Sequence, residues 1–241
     1  MNGRPVPGRP RGVDAESPTL ARPTARDVHV WRVELRGDPD RYVASLSAAE
    51  RVRHARLRHE RRDQFAISHG AVRQVLGAYL GRDARDVPLD AASGRPPSVP
   101  GLELSLTHCD ELALLAVAVG PVGVDIEALN RVEPRDLREL ADTTLSAAEL
   151  TQFLLTPADQ QVRAWLRSWV RKEAVLKSRG EGIGGRALRE LDVSLDRVDE
   201  VTIVDIDIGP AHVGAAAITP PAERIVLRDW IDRSRSVAAH P

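Results

Sequence analysis

Two lysines, Lys172 and Lys177, are the only ones among 241 residues, and both lie in Ser168-Trp169-Val170-Arg171-Lys172-Glu173-Ala174-Val175-Leu176-Lys177. Everywhere else the chain uses arginine as its cationic side chain. A lysine presents one compact, mobile ammonium where arginine imposes a flat fork, so the pair marks a place where a single oxygen is to be met by a point charge. The stretch from Val162 to Lys177 holds no Gly or Pro, which predicts a helix. On that helix Trp169, Glu173 and Lys177 follow at i, i+4 and i+8 and share one face. Taken alone, Glu173 and Lys177 equally make an ordinary surface ion pair worth a few tenths of a kcal/mol.

A second group of acids stands upstream, in Val122-Gly123-Val124-Asp125-Ile126-Glu127. In a strand, Val124 and Ile126 fall on one side and Asp125 and Glu127 on the other. Adjacent carboxylates repel unless solvent or a cation stands between them. A solvated edge strand meets that need, and so does a hard divalent cation such as Mg²⁺, which takes carboxylate oxygens and shares its remaining positions with water and a substrate phosphate. If the lysine-bearing helix faces this strand, Glu173 becomes the third carboxylate. A third segment, Ser105-Leu106-Thr107-His108, ends a predicted strand and is preceded by Gly94-Arg95-Pro96. Hydroxyls, a histidine and an arginine suit a phosphate or a nucleotide sugar; a lone histidine at a strand end is also a common structural residue.

The elements that must position these groups show a repeat. Residues 1–26, rich in Pro, Arg and Gly, are expected to be a disordered tail. Val28 to Leu35 alternates as a first strand. Leu46-Ser47-Ala48-Ala49-Glu50 is a capping box opening a helix, and a second helix carries Phe65, Val72, Leu76 and Tyr79 on one face and stops at Gly81. Strands are predicted over 102–108 and 113–119. The plan then restarts: Leu145-Ser146-Ala147-Ala148-Glu149 repeats the box 99 residues on, Val175-Leu176 echoes Val75-Leu76, and strands over 201–208 and 212–218 echo the earlier pair. The reading is an α+β protein of two similar lobes, 27–120 and 121–241, forming a pseudo-dimer in which each lobe is a small antiparallel sheet with packed helices and the active site lies in the cleft between them.

The whole chain narrows the function classes. A net charge of −1 gives no long-range pull toward nucleic acid or an anionic membrane. One cysteine, Cys109, rules out an intrachain disulfide and any multi-cysteine zinc site. No apolar run reaches the roughly 18 residues of a spanning helix, and the N-terminus has no apolar signal core. The expectation is a cytoplasmic protein.

Gly123-Val124-Asp125-Ile126-Glu127 followed by Trp169-Val170-Arg171-Lys172-Glu173-Ala174-Val175-Leu176-Lys177 resembles the paired signature of 4′-phosphopantetheinyl transferases of the large, two-lobed monomeric class, the Sfp type. Gly94-Arg95-Pro96 is similar to that family's Gly-Lys-Pro, and Ser105-Leu106-Thr107-His108-Cys109 to its Asn-hydrophobic-Ser-His-Ser. The resemblance covers about residues 28–230 and implies the duplicated lobe fold and a monomer. It implies transfer of the phosphopantetheine arm of coenzyme A to a serine hydroxyl of an apo acyl or peptidyl carrier protein, with release of adenosine 3′,5′-bisphosphate. By position Asp125, Glu127 and Glu173 would hold Mg²⁺ against the coenzyme A pyrophosphate, and Lys177 would reach a phosphate oxygen. Arg95, Thr107 and His108 would hold the 3′-phosphate and adenosine end, with Ser105, shorter than the family's Asn, beside them.

Those residue types suit the reaction on their own terms. Phosphoryl transfer needs developing negative charge neutralised and the nucleophile placed in line. Glu173 would take the serine proton, directly or through a water, Asp125 and Lys177 completing the catalytic set, while Trp169 would anchor the helix. The phosphate-binding arginine of the family finds no single register around Arg58 to Gln64. Two other readings use the same residues: another Mg²⁺-dependent phosphate hydrolase, and a carrier-protein binding module without catalysis.

Overall fold

The structure, a computed structural model, describes residues 20–89, 98–181 and 185–230. Its elements are β1 (Asp27–Glu34), α1 (Asp40–Val43), α2 (Ala48–Arg56), α3 (His59–Leu80), β2 (Ser98–Val99), β3 (Leu102–Cys109), β4 (Leu112–Ala118), β5 (Val122–Ala128), α4 (Leu137–Thr144), α5 (Ala147–Leu155), α6 (Gln161–Arg179), α7 (Gly185–Glu190), β6 (Arg197–Val198), β7 (Val201–Ile206), β8 (His212–Ile218) and β9 (Arg224–Trp230). The strands form two sheets, ordered β2-β3-β4-β1-β9 and β5-β8-β7-β6. The fold is α+β, with antiparallel-rich sheets and packed helices.

Alternation along the strands explains how the layers stack. On one face of the first sheet Trp31, Leu104, Leu115 and Val117 meet Val72, Val75, Leu76 and Tyr79 of α3. The residues between them, Val28, Val30, Leu114 and Ala116, meet Val122, Val124, Ile126 and Ile218 of the second sheet. On the far face of that sheet Val201, Ile203, Ala215 and Ala217 pack under Trp165, Val170, Ala174 and Val175 of α6. The order is helix, sheet, sheet, helix, and each large aliphatic chain buried at these junctions contributes about 1.5–3 kcal/mol of transfer free energy. α3 stops at Gly81, whose left-handed backbone (φ 62°) closes the last turn as the sequence predicts.

The repeat extends beyond the capping boxes. Ser47 and Ser146 each accept the N–H of the glutamate three residues on, and Glu50 and Glu149 each accept the serine N–H in return. Glu50 also pairs with the buried guanidinium of Arg73, whose Nη1 donates to the carbonyls of Ala84 (3.2 Å) and Val87 (3.1 Å). Glu149 pairs with Lys172 Nζ at 2.7 Å, and that ammonium, fully buried, donates to the carbonyls of Leu188 (2.6 Å) and Leu191. In both halves the cation lies 23 residues after its glutamate. A box, a long helix and the loop after it are thus tied by one buried charge pair, used twice.

Two features depart from the sequence reading. β9, from the C-terminal end, pairs in parallel with β1, setting Val28 against Ile225 and Val30 against Leu227, so the first sheet is completed by a strand from the other half of the chain. Ion pairs from Arg32 to Asp229 (2.7 Å) and from Asp27 to Arg224 (2.8 Å) fix that register, and such contacts between residues 197 apart leave no trace in local periodicity. Of the expected tail, the described part from Leu20 lies along α3: the Leu20 N–H donates to the Ala78 carbonyl (2.9 Å) and Arg22 Nε to that of Tyr79 (3.3 Å). Among the described residues no helix is long and apolar enough to cross a membrane.

Candidate active site

The site is built where α6 lies across β5, and Gly123 makes that crossing possible. A β-carbon at this position would overlap the Ala174 carbonyl oxygen and come 2.7 Å from the Ser178 nitrogen. Without it the helix backbone rests directly on the strand. Packing on this scale brings Asp125, the next residue on the same face of the strand, under the last turns of the helix. Trp165 and Trp169 stack at 5.4 Å between ring centroids, and Trp165 Nε1 donates to Thr144 Oγ1 (2.9 Å), which anchors the first half of α6.

Asp125 is buried and its Oδ1 is held twice. Lys177 Nζ stands 2.7 Å away and Thr107 Oγ1 donates to the same oxygen at 2.9 Å. The ammonium also reaches the Val124 carbonyl at 3.3 Å. Burial pushes the Asp125 carboxyl above its ordinary range, and Lys177 opposes that rise. Glu127, half-buried, is likewise raised by burial; Arg131 Nη1, 3.2 Å from Oε2, opposes the rise and Asp125 adds to it. Glu173, only 4 % exposed, is pushed up to about 7, first by burial and then by the charge of Asp125, with Lys177 pulling the other way and Glu127 adding to the rise. The carboxylates therefore feel one another across the strand and the helix.

Each acid keeps one buried oxygen that accepts no hydrogen bond: Asp125 Oδ2, Glu127 Oε2, which has only its ion pair to Arg131, and Glu173 Oε1. Such oxygens are costly unless something positive meets them. Three carboxylates whose buried oxygens accept no hydrogen bond, two of them without any partner, are the donor chemistry a hard divalent cation takes, so these residues fit one. Among the described residues no three His, Cys, Asp or Glu side chains are already closed into a metal cluster. The donors stand within electrostatic reach of one another and have not converged on a point.

The other residues singled out by sequence divide. Ser105 and Thr107 are buried on the face of β3 that looks toward β5, and both are engaged there: Ser105 Oγ accepts the Val124 N–H at 3.0 Å. Alternation sends His108 to the opposite face, where it is exposed, so Thr107 and His108 do not share a surface. Arg95 lies outside the described residues. Arg131 was not anticipated; its spacing of four from Glu127 is the signal that points to it. A cavity of about 530 Å³ lined by Arg32, Arg36, Asp110, Leu129, Asn130 and His212 opens one residue past Glu127, and its walls do not include the three carboxylates.

The model of the 4′-phosphopantetheinyl transferase superfamily matches residues 121–220, the span that holds Asp125, Glu127, Glu173 and Lys177. The chain is similar to the 4′-phosphopantetheinyl transferase HetI of Nostoc sp., 33% identical over 181 residues, covering 70% of this chain and 74% of that protein. It is similar to the transferase Sfp of Bacillus subtilis, 25% identical over 207 residues, covering 84% of this chain and 86% of the relative. The transferase AcpT of Escherichia coli is 38% identical over 91 residues, 36% of this chain and 45% of its own. Across most of both chains the likeness to HetI is close enough to decide the family: this chain belongs to the 4′-phosphopantetheinyl transferases.

Proposed function

We propose that the chain moves the 4′-phosphopantetheine arm of coenzyme A onto a serine hydroxyl of an acyl or peptidyl carrier protein and releases adenosine 3′,5′-bisphosphate. The observation that carries this reading is the grouping of three buried carboxylate oxygens that accept no hydrogen bond, Asp125 Oδ2 and Glu173 Oε1 without a partner and Glu127 Oε2 with only its ion pair to Arg131, with an ammonium beside them. Asp125, Glu127 and Glu173 would hold Mg²⁺. When bound, that ion neutralises the charge that develops on the diphosphate during transfer.

The chain's own residues account for the remaining needs. Glu173 is the carboxylate placed to accept the serine proton, directly or through a water; without a metal its carboxyl is pushed up to about 7, first by burial and then by the charge of Asp125. The serine oxygen then attacks the phosphorus that carries the arm, and the bond from that phosphorus to the 5′-phosphate oxygen of the bisphosphate breaks. Lys177, half-buried on the same face, offers its ammonium to a phosphate oxygen. Exposed His108, together with Arg95, suits the 3′-phosphate end of coenzyme A. Asp125 and Glu173 are buried, and away from bulk water the contact between Asp125 and the Lys177 ammonium is strengthened.

Purified protein is to be incubated with coenzyme A, Mg²⁺ and several apo carrier proteins, and the carriers then weighed by mass spectrometry. A carrier heavier by one phosphopantetheine supports the reading. Bisphosphate or phosphate released with the carriers unchanged favours a hydrolase, and carrier binding with neither product favours a binding module.

A further inference from the structure

β5 is an edge strand of its sheet, bonded on one side to β8 and facing β3 of the other sheet with its free side. An open edge inside a protein leaves a row of N–H groups that must find acceptors. Here they find side chains. Ser105 Oγ accepts the N–H of Val124 at 3.0 Å, and Cys109 Sγ accepts the N–H of Ala128 at 3.1 Å. Between them Thr107 Oγ1 donates to Asp125 Oδ1 at 2.9 Å. Ser105, Thr107 and Cys109 are alternate residues of one strand, all buried, and all on the face that looks across the junction between the sheets.

From this we infer that Ser105, Thr107 and Cys109 are positioning residues: they clamp β5 to the first sheet and turn Asp125 so that Oδ2 is the free ligand oxygen, and they do not touch coenzyme A. Thr107 and Lys177 both engage Oδ1 and leave Oδ2 buried and unpartnered. The serine and cysteine hold the strand's height on either side of that carboxylate. A side chain that already donates its single proton to Asp125 has none left for a phosphate, and phosphate oxygens need donors. A Cβ-branched residue at Thr107 also restricts its rotamer, so the hydroxyl stays where the carboxylate needs it. The residues that resemble a nucleotide-binding stretch thus serve the metal-side carboxylate from behind, across the lobe junction.

The inference rests on the transferase reading, and two independent measurements separate the two. The first is Mn²⁺ affinity, read by electron paramagnetic resonance of the free ion, alongside steady-state kinetics in coenzyme A. Thr107→Val removes the hydroxyl and keeps the shape. It is expected to weaken Mn²⁺ binding and lower kcat by about 10–100-fold, the usual consequence of losing an outer-shell partner, while KM for coenzyme A stays nearly constant. Thr107→Ser is expected to restore both. A rise in KM for coenzyme A with Mn²⁺ binding unchanged would make Thr107 a substrate contact and overturn the inference, as would no change in any of the three. The second measurement is amide hydrogen exchange over 122–128 in Ser105→Ala and Cys109→Ala, whose folding is checked by circular dichroism. Faster exchange there supports the clamp; exchange equal to the parent's overturns it. If the parent protein neither binds Mn²⁺ nor modifies a carrier, the transferase reading fails, and the exchange result still decides the clamp.

Discussion

Lys177 Nζ stands 2.7 Å from Asp125 Oδ1, joining the last turns of α6 to β5, 52 residues earlier in the chain. The ammonium is the sole lysine on that face, and its charge holds down a carboxyl that burial pushes up. Replacing it with methionine keeps the length and removes the charge. Lys177→Met is expected to lower kcat by about 10²–10³-fold, the scale of losing one preorganised donor to developing charge. Lys177→Arg is expected to recover little of it, since the flat fork cannot meet one oxygen from the same stem. Carrier modification followed by mass spectrometry gives both rates.

Glu173 supplies a pH test with a defined sign. Its carboxyl is raised from 4.5 to about 7 in the folded chain, so folding binds a proton more tightly than the unfolded chain does. That contribution is full below 4.5 and is lost as pH rises toward 7 and beyond. In metal-free buffer Glu173→Gln is therefore expected to be more stable than the parent at pH 8, on the order of 2–3 kcal/mol, with most of the gain gone by pH 5. Transfer by the variant should be abolished. Urea unfolding at the two pH values measures the first part, and a variant no more stable than the parent at pH 8 would contradict it.

Gly123→Ala tests the crossing of helix and strand. The added methyl meets the Ala174 carbonyl, which belongs to a helix backbone and cannot turn aside as a side chain tip can. Overpacking of this kind costs about 1–3 kcal/mol. Because the displaced helix carries Glu173 and Lys177, activity should fall further than stability alone explains. Denaturant midpoints compared with kcat at a temperature where the variant is folded check that.

The Glu149–Lys172 pair is the stability test. Lys172→Met leaves a fully buried carboxylate without its counter-ion and is expected to cost about 3–5 kcal/mol. Adding Glu149→Gln should recover part of the loss. Because Arg73 fills the matching place in the first half, Lys172→Arg should be tolerated better than Lys172→Met. Thermal melting of the three variants orders them.

Much of the chain's local order is legible in its sequence. The two capping boxes form as Ser47–Glu50 and Ser146–Glu149, α3 stops at Gly81, and the strands expected over 102–108 and 113–119 form as β3 and β4 and pair with each other. α4 and β9 escape that reading. α4 is eight residues long, and β9 alternates half-exposed residues whose partner strand is nearly 200 residues away. The third segment shows the same limit: its hydroxyls can be read as phosphate contacts until the strand they face is known.

By itself the sequence determined which acids could share a face, because strand and helix periods of 2 and 3.6 follow from backbone geometry alone. It also determined the repeat, since identical capping chemistry needs identical local residues. Only the tertiary structure decided that β3 closes the free edge of β5 with Ser105, Thr107 and Cys109, and that Gly123 lets α6 sit directly on the strand. Those facts depend on how closely two elements approach across the core, a distance set by every side chain packed between the layers and written in no single stretch of the chain.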